Sequence, residues 1–217
     1  MPVIQYNSME GEFQLTKTDV KILKFLIENI TKKFSINKIS ETIKVTYPSV
    51  RERVLELNKR NVVNIKKVNP TQTLCSLNSK NNNNVSIFSY IEFLRKEKIF
   101  LKKSELKTIA NDILNRINGN SFTLILFGSY IKSKETISSD IDILLLIPSM
   151  RDEKRVINSV ITAERLTNRK IHTISMTYND FFNSLKKDSA SLPREVLENH
   201  IIVYGAEAFY RALVVYG

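Results

Sequence analysis

The chain of 217 residues has 33 Lys and Arg residues against 22 Asp and Glu residues, a formal net charge of +11, and 42% of its residues are hydrophobic. This balance is typical of globular proteins and argues against a disordered chain, and the length suits two small domains. No segment reaches the roughly 18 apolar residues of a membrane span and the N-terminus lacks the features of a signal peptide, so we expect a cytoplasmic protein.

The N-terminal third is predicted to contain three helices and a β-hairpin. Apolar residues at helical spacing predict a first helix within TKTDVKILKFLIENITKKF, with Thr18 as its N-cap. A second helix follows Ser35, and Pro48 fits the first turn of a third helix capped by Thr46. Two short strands joined across NPT, VVNIKKV and TLCSLNS, form the hairpin, and its single cysteine, Cys75, is expected to be buried.

Three helices followed by a hairpin resemble the winged helix-turn-helix domain over about residues 15–78. In that family the third helix enters the major groove of double-stranded DNA and the hairpin wing touches the phosphate backbone. Residues 1–80 hold 14 basic against 7 acidic residues, which favours a polyanionic partner. The expected DNA contacts are Tyr47, Ser49, Arg51 and Arg53 in the third helix and Lys66 and Lys67 in the wing. The alternatives are a domain used for dimerisation or protein contacts and an ordinary charged surface.

An asparagine-rich segment, NSKNNNNV, is typical of a linker and divides the chain into predicted domains at 1–80 and 81–217. Two amphipathic helical patterns follow it, SIFSYIEFLRKEK and SELKTIANDILNRI. The second pattern is capped by Ser104 and ends at Asn118-Gly119.

The segment FGSYIKSKETISSDIDILLLI combines a turn suited to phosphate with two aspartates. The buried-strand pattern SFTLILF runs into Gly128 and Ser129, where a helix start would offer backbone N–H groups to phosphate oxygens. Asp140 and Asp142 open the next strand, and the alternation of strand side chains places both carboxylates on one face. Such a pair suits Mg²⁺, which takes one or two carboxylates together with substrate phosphates. Two ions about 3.5–4 Å apart could support in-line nucleotidyl transfer.

These residues closely match the signature of the DNA polymerase β-type nucleotidyltransferase superfamily, and the short length resembles its minimal members. The signature is matched by Gly128, Ser129, Lys132, Ser139, Asp140, Ile141 and Asp142, whereas Ser133 stands where relatives frequently have glycine. The resemblance covers about residues 86–215. It implies an α/β domain with a mixed sheet, and hence an α+β protein, in which the Gly-Ser turn and Lys132 bind nucleotide phosphates and the two aspartates bind the catalytic metal.

Active members of this family usually take a third carboxylate from a neighbouring strand. The corresponding strand here, RKIHTISMT, contains no acid and places His172 at the matching position. Three interpretations stay open: His172 is a general base in a modified site, or it is structural and the acid comes from elsewhere, or the domain binds nucleotide or metal without catalysis. The candidate substitute acids are Asp152, Glu153, Asp180 and Glu195. Tyr130, the aromatic residue nearest in sequence, could pack against a nucleotide base.

Two functions are expected from these patterns. The first is an enzyme that uses Mg²⁺ or Mn²⁺ to transfer a nucleoside monophosphate from a nucleoside triphosphate, with ATP as the expected nucleotide, to an unidentified acceptor, and that also binds DNA. The second is a DNA-binding transcriptional regulator, or an antitoxin acting on a partner protein, with a catalytically degenerate nucleotidyltransferase-like domain. Winged-helix proteins often pair on symmetric sites, so a homodimer is a further expectation.

Overall fold

The computed structural model describes residues 6–7, 12–69, 72–116, 122–128, 130–131, 140–167, 169–187 and 191–217, without the side chains of residues 6, 7, 12, 13, 152 and 155. Contacts within the chain divide it into two compact units, residues 1–27 with 32–78 and residues 28–31 with 79–217. None of the helices in these ranges has the length and apolar character that crossing a membrane requires.

The first unit is built from three helices and two small sheets. Its elements are β1 (Tyr6–Asn7), β2 (Glu12–Phe13), α1 (Lys17–Glu28), β3 (Phe34–Ser35), α2 (Ile36–Ile43), α3 (Tyr47–Lys59), β4 (Val63–Asn69) and β5 (Gln72–Leu77). Strands β1 and β2 pair with each other, and the second sheet has the antiparallel order β3-β5-β4. The three helices and the hairpin lie in the predicted order, and β3 adds a third strand that the sequence pattern does not indicate.

Local hydrogen bonds explain where α1 and α2 begin, whereas Thr46 stands at the cap position of α3 without a side-chain hydrogen bond to the helix. The backbone N–H of Asp19 donates to Thr16 Oγ1 at 3.1 Å, and the N–H of Thr16 donates to the Asp19 carboxylate at 2.8 Å, which is a reciprocal capping box. The prediction of Thr18 as the cap is therefore wrong, because Thr18 lies inside α1. Ser35 caps α2 as predicted, by accepting from the N–H of Lys38.

A buried ion pair joins α1 to α3 in the core of the first unit. The Asp19 side chain is 1% exposed and accepts from Nε and Nη2 of Arg53, both at 2.9 Å. The core around it is apolar, and Cys75 is fully buried in it, as expected. The ion pair gives Arg53 a structural role, since two of its donors are engaged within the protein.

The second unit is built around a four-stranded sheet. Its elements are α4 (Val85–Lys102), α5 (Ser104–Arg116), β6 (Thr123–Phe127), β7 (Ile141–Ile147), α6 (Glu153–Thr167), β8 (Ile171–Thr177), α7 (Tyr178–Lys187), α8 (Leu192–Glu198), β9 (His200–Tyr204) and α9 (Ala206–Tyr216), with short 3₁₀ turns at Asn82–Asn84 and Met150–Asp152. The predicted helix end at Asn118-Gly119 lies outside the described residues.

The sheet is mixed and carries buried side chains on both faces. Its order is β8-β7-β6-β9, with β7 parallel to β8 and β6 antiparallel to β7 and β9. One face contributes Ile143 and Leu145 to a core completed by α5 and α6. The alternate residues Leu144 and Leu146 are equally buried, so the other face is covered too. Burial on both faces explains the unbroken apolar run of β7. The strand directions confirm the predicted mixed sheet.

Candidate functional site

Four strand ends meet at one edge of the sheet in the second unit. Asp142, near the start of β7, pairs with Phe127 at the end of β6 on one side and with His172 of β8 on the other. Phe127 in turn pairs with His200, the first residue of β9. The Gly128 turn, the start of β7 and His172 therefore lie side by side at this edge.

The carboxylate of Asp142 lies directly against Gly128. Gly128 has a φ of +78°, a conformation that side chains with a Cβ rarely adopt, and an added Cβ would lie 2.1 Å from Asp142 Oδ2. The sequence predicts that this glycine makes room for phosphate. In the structure, the room that it makes is taken by the carboxylate of Asp142.

Each of the two aspartates contacts a basic side chain. One of these basic residues lies in β8, and the other lies just before that strand. His172 Nδ1 lies 3.2 Å from Asp142 Oδ1, and Lys170 Nζ lies 3.2 Å from Asp140 Oδ2. The side chain of His172 is 60% exposed, whereas that of Asp142 is 25% exposed. In RKIH the two bases Lys170 and His172 are two residues apart, as are the two acids in DID. This matching spacing is the signal by which Lys170 could have been predicted from the sequence.

Several predicted site residues lie outside the described part of the chain. These are Ser129 and Lys132 of the proposed phosphate turn, together with Ser133 and Ser139. The helix start expected after Gly128 falls in the same segment.

Tyr130, two residues after Gly128, is held inside the protein. It is 6% exposed, its hydroxyl donates to Glu105 Oε2 at 2.9 Å, and its carbonyl oxygen accepts from Lys103 Nζ at 2.5 Å. A ring with this burial is not available to stack on a nucleotide base, contrary to the expectation from the sequence.

Two of the candidate substitute acids are placed at the other end of β8. Glu153 accepts a hydrogen bond from Ser175, which follows His172 by three residues and hence by about 10 Å along the strand. Asp180 bonds the Thr177 hydroxyl, farther along still. Neither can join Asp140 and Asp142 in one metal shell. Glu195 is exposed on α8, and the side chain of Asp152 is not described.

The donor set at this edge suits a single hard cation that shares its shell with a nucleotide. Mg²⁺ commonly takes one or two protein carboxylates and completes its shell with water and phosphate oxygens, and Asp140 and Asp142 could supply the former. His172 offers nitrogen, which Mg²⁺ disfavours. Among the described residues, no group of three or more His, Cys, Asp or Glu side chains is placed to hold a metal ion.

A buried polar cluster lies where β9 begins. Arg95 Nη1 donates to both carboxylate oxygens of Glu92 at 2.8 Å, and Arg95 Nη2 donates to the carbonyl oxygen of His200 at 2.7 Å. Tyr210 donates to the same carboxylate at 3.2 Å. Burial alone would raise the pKa of Glu92, but Arg95, His200 and Tyr210 more than offset this and lower it. The cluster ties α4 and α9 to β9, which supports a structural role for His200.

The predicted DNA contacts of the first unit are mostly at its surface. Arg51, Lys66 and Lys67 are exposed, Tyr47 is 41% exposed, and Ser49 is half-buried. Arg53 differs from the others because it is paired with Asp19.

Residues 106–203, which lie within the second unit, match the family model for the nucleotidyltransferase domain. This match supports the nucleotidyltransferase part of the resemblance seen in the sequence and does not extend to the first unit. Neither the curated proteins nor the solved structures give a significant match to the chain.

Proposed function

We propose that this protein is a nucleotidyltransferase that transfers a nucleoside monophosphate from a nucleoside triphosphate, with ATP as the first nucleotide to test, to a hydroxyl group of an acceptor. The observation that carries the proposal is the position of Asp142 between Gly128 and His172, inside the segment that matches the nucleotidyltransferase model. Acid, turn and imidazole are thereby close enough to act on one substrate.

The proposed metal ligands are Asp140 and Asp142, with Mg²⁺ or Mn²⁺ as the ion. When bound, such an ion neutralises charge on the phosphates and polarises the phosphorus that is attacked. Gly128, Ser129 and Lys132 are proposed to bind the phosphates through backbone N–H groups, a hydroxyl and an ammonium group.

His172 is the proposed general base. A carboxylate only accepts hydrogen bonds, so Nδ1 of His172 must donate to Asp142, and Nε2 is then the acceptor nitrogen of the neutral ring. The proton of the acceptor hydroxyl would pass to Nε2 while the hydroxyl oxygen attacks the α-phosphorus. The bond from that phosphorus to the bridging oxygen breaks, and pyrophosphate leaves with its electron pair.

We further propose that residues 1–80 form a winged helix that binds double-stranded DNA. Its helix order, the hairpin, the excess of basic residues and the exposure of Arg51, Lys66 and Lys67 support this. Arg53 would act indirectly, by holding α3 on α1.

A second candidate function is a DNA-binding regulator or an antitoxin whose second unit binds nucleotide without transferring it. The observation that favours it is the placement of Glu153 and Asp180 away from the aspartate pair, which leaves the described part of the site with two carboxylates. A partner protein would then be masked rather than modified.

The test is incubation of the protein with ATP labelled at its α-phosphate, Mg²⁺ or Mn²⁺, and nucleic-acid and protein acceptors. We expect label on an acceptor with the wild type and at least about a hundredfold less with Asp140→Asn or Asp142→Asn. Asp180→Asn, in the first turn of α7 beyond the far end of β8, is the matched control and should keep the activity. Equal labelling by Asp142→Asn would refute the proposal, and ATP binding without any transfer would favour the regulator.

A further inference from the structure

The corner between α4 and α5 contacts both of the segments that carry the proposed active site. The two residues of this corner that make the contacts are Lys103, which lies between the two helices, and Glu105, in the first turn of α5. One of the segments follows Gly128, and the other enters β8 just before His172. The corner is 25 residues from the first segment and 64 residues from the second along the chain.

The corner holds the segment after Gly128 through Tyr130. Lys103 Nζ donates to the Tyr130 carbonyl oxygen at 2.5 Å and lies 4.5 Å from the centre of its ring. The Tyr130 hydroxyl donates to Glu105 Oε2 at 2.9 Å. Backbone, ring and hydroxyl of one residue are thus all fixed by the corner, two positions after the glycine that adjoins Asp142.

The same carboxylate holds the entrance to β8. Arg169 donates to it twice, from Nε to Oε1 at 2.5 Å and from Nη2 to Oε2 at 3.0 Å. The next residue, Lys170, pairs with Asp140, and its carbonyl oxygen accepts from the N–H of Ile141. The hydrogen bonds from Arg169 lower the pKa of Glu105, so its carboxylate is ionised at neutral pH.

We propose that Glu105 is a positioning residue of this active site, which sets the distance between Tyr130, two residues after Gly128, and the base-bearing strand β8. The inference rests on the proposed function. The carboxylate of Glu105 binds both Tyr130 and Arg169. It thereby couples two segments that the sheet by itself would hold only at their strand ends. Misplacement of a reacting group by about 1 Å can cost two orders of magnitude in rate, so such coupling matters far more to the site than to the fold.

Thermal stability separates this role from an ordinary structural one. The side chains of Glu105 and Arg169 are 38% and 30% exposed, so solvent screens their attraction, and the pair contributes less to folding than a buried pair would. We expect Glu105→Gln to change Tm by no more than about 2 °C. Glu207→Gln, which breaks the exposed Glu207–Arg211 pair of α9, is the matched control for loss of an ion pair.

Two measurements should distinguish the contact of Glu105 with Tyr130 from its contact with Arg169. One is the binding of ATP with Mg²⁺, measured by calorimetry, and the other is the NMR signals of the imidazole rings. The chain has only two histidines, so His172 is resolved from His200, which serves as an internal reference. Tyr130→Phe removes the hydrogen bond to Glu105, two residues after Gly128, and should weaken ATP binding about fivefold, with the His172 signals nearly unchanged. Arg169→Ala should shift the His172 signals and change ATP affinity by less than about twofold.

Glu105→Gln should show both effects, and Glu207→Gln neither. Unchanged ATP affinity together with unchanged His172 signals in a folded Glu105→Gln would overturn the inference. If the wild type does not bind ATP with Mg²⁺, or Asp142→Asn binds it equally well, the proposed function fails instead. The His172 signals without nucleotide then still test the coupling of Glu105 to β8, because Glu105→Gln and Arg169→Ala must move them whether or not ATP binds.

Discussion

The carboxylate of Asp142 lies where a side chain on Gly128 would begin, 2.1 Å from the position of its Cβ. Two constraints coincide at this glycine, a φ of +78° and contact with the acid that the proposed mechanism requires. A substitution at Gly128 therefore tests the site without any change to a charged group.

Gly128→Ala is expected to displace Asp142 and to abolish the binding of ATP with Mg²⁺ measured by calorimetry. The methyl group cannot coexist with Oδ2 at 2.1 Å, and the left-handed conformation costs an additional amount of about 1–2 kcal/mol. Gly205→Ala is the matched control, with a φ of +75° and a Cβ 2.1 Å from the carbonyl oxygen of Phe122. It should lose stability and retain ATP binding. Loss of binding in both variants, or in neither, would show that the contact with Asp142 has no special part.

His172→Asp should raise the affinity of the site for Mn²⁺ in the presence of ATP by about tenfold or more, because a third carboxylate adds charge and an oxygen ligand. His172→Asn is the matched control, since it removes the imidazole and adds no charge. The measurement is Mn²⁺ binding followed by electron paramagnetic resonance. Equal affinities of the two variants would show that position 172 does not face the metal.

Helices α1 to α5 and strands β4 to β8 could be predicted because each rests on a local pattern, whereas two-residue strands such as β3 are too short to show one. Apolar periodicity gave the helices, and the Gly-Ser turn and the DID sequence gave the edge where the site lies. The cap of α1 was misassigned because Thr16 and Thr18 both lie within four residues of Val20, the first apolar residue of the helix, and only the hydrogen bonds to Asp19 distinguish them.

The pairing of side chains from distant segments could not be predicted. Glu105 and Arg169 are 64 residues apart, and no periodicity connects them. The same holds for Asp19 and Arg53. The sequence indicates a helix residue at one position and a DNA contact at the other, and only the fold brings their side chains together. Composition and spacing report which face a residue occupies, and they do not report which charge from another element lies opposite.

Lys66→Ala and Lys67→Ala should each weaken the binding of double-stranded DNA and reduce its salt dependence, because each exposed ammonium group would neutralise one phosphate. The expected change in the log–log slope is about 0.9 for each lysine. Arg53→Ala should act differently, by leaving the buried carboxylate of Asp19 without its counter-charge and destabilising the first unit by about 2–4 kcal/mol. Fluorescence anisotropy over a range of salt and urea unfolding distinguish the two. A lower slope for Arg53→Ala with full stability would place Arg53 on the DNA after all.

Cys75 should not react with thiol reagents in the folded protein at pH 8. Burial raises the pKa of its thiol to about 12, so hardly any of the reactive thiolate is present, and its side chain has no access to solvent. Reaction with a chromogenic disulfide should start only in denaturant, with one thiol released per chain. Rapid reaction without denaturant would mean that the first unit opens readily.

Glu92 should make the stability of the second unit depend on pH in the acid range. Its side chain is fully buried, and although burial opposes ionisation, the charge of Arg95 and the contacts of His200 and Tyr210 lower its pKa below the ordinary value. A group whose pKa is lower in the folded state stabilises the fold fully above its unfolded pKa of about 4.3 and loses that contribution as the pH falls through the folded value. Urea unfolding should therefore show stability falling below about pH 4.5.

Glu92→Gln should lack this acid-range decline and should be less stable at pH 7 by about 3 kcal/mol, since buried Arg95 loses its buried counter-charge and is left with the exposed Glu28, 3.6 Å from its Nε. The double variant Glu92→Gln, Arg95→Met removes both charges and should regain much of the loss, which keeps the test valid if the single variant does not fold. Glu207→Gln, from an exposed pair, should unfold like the wild type at every pH. A wild-type decline that persists unchanged in the double variant would assign the acid sensitivity to other carboxylates.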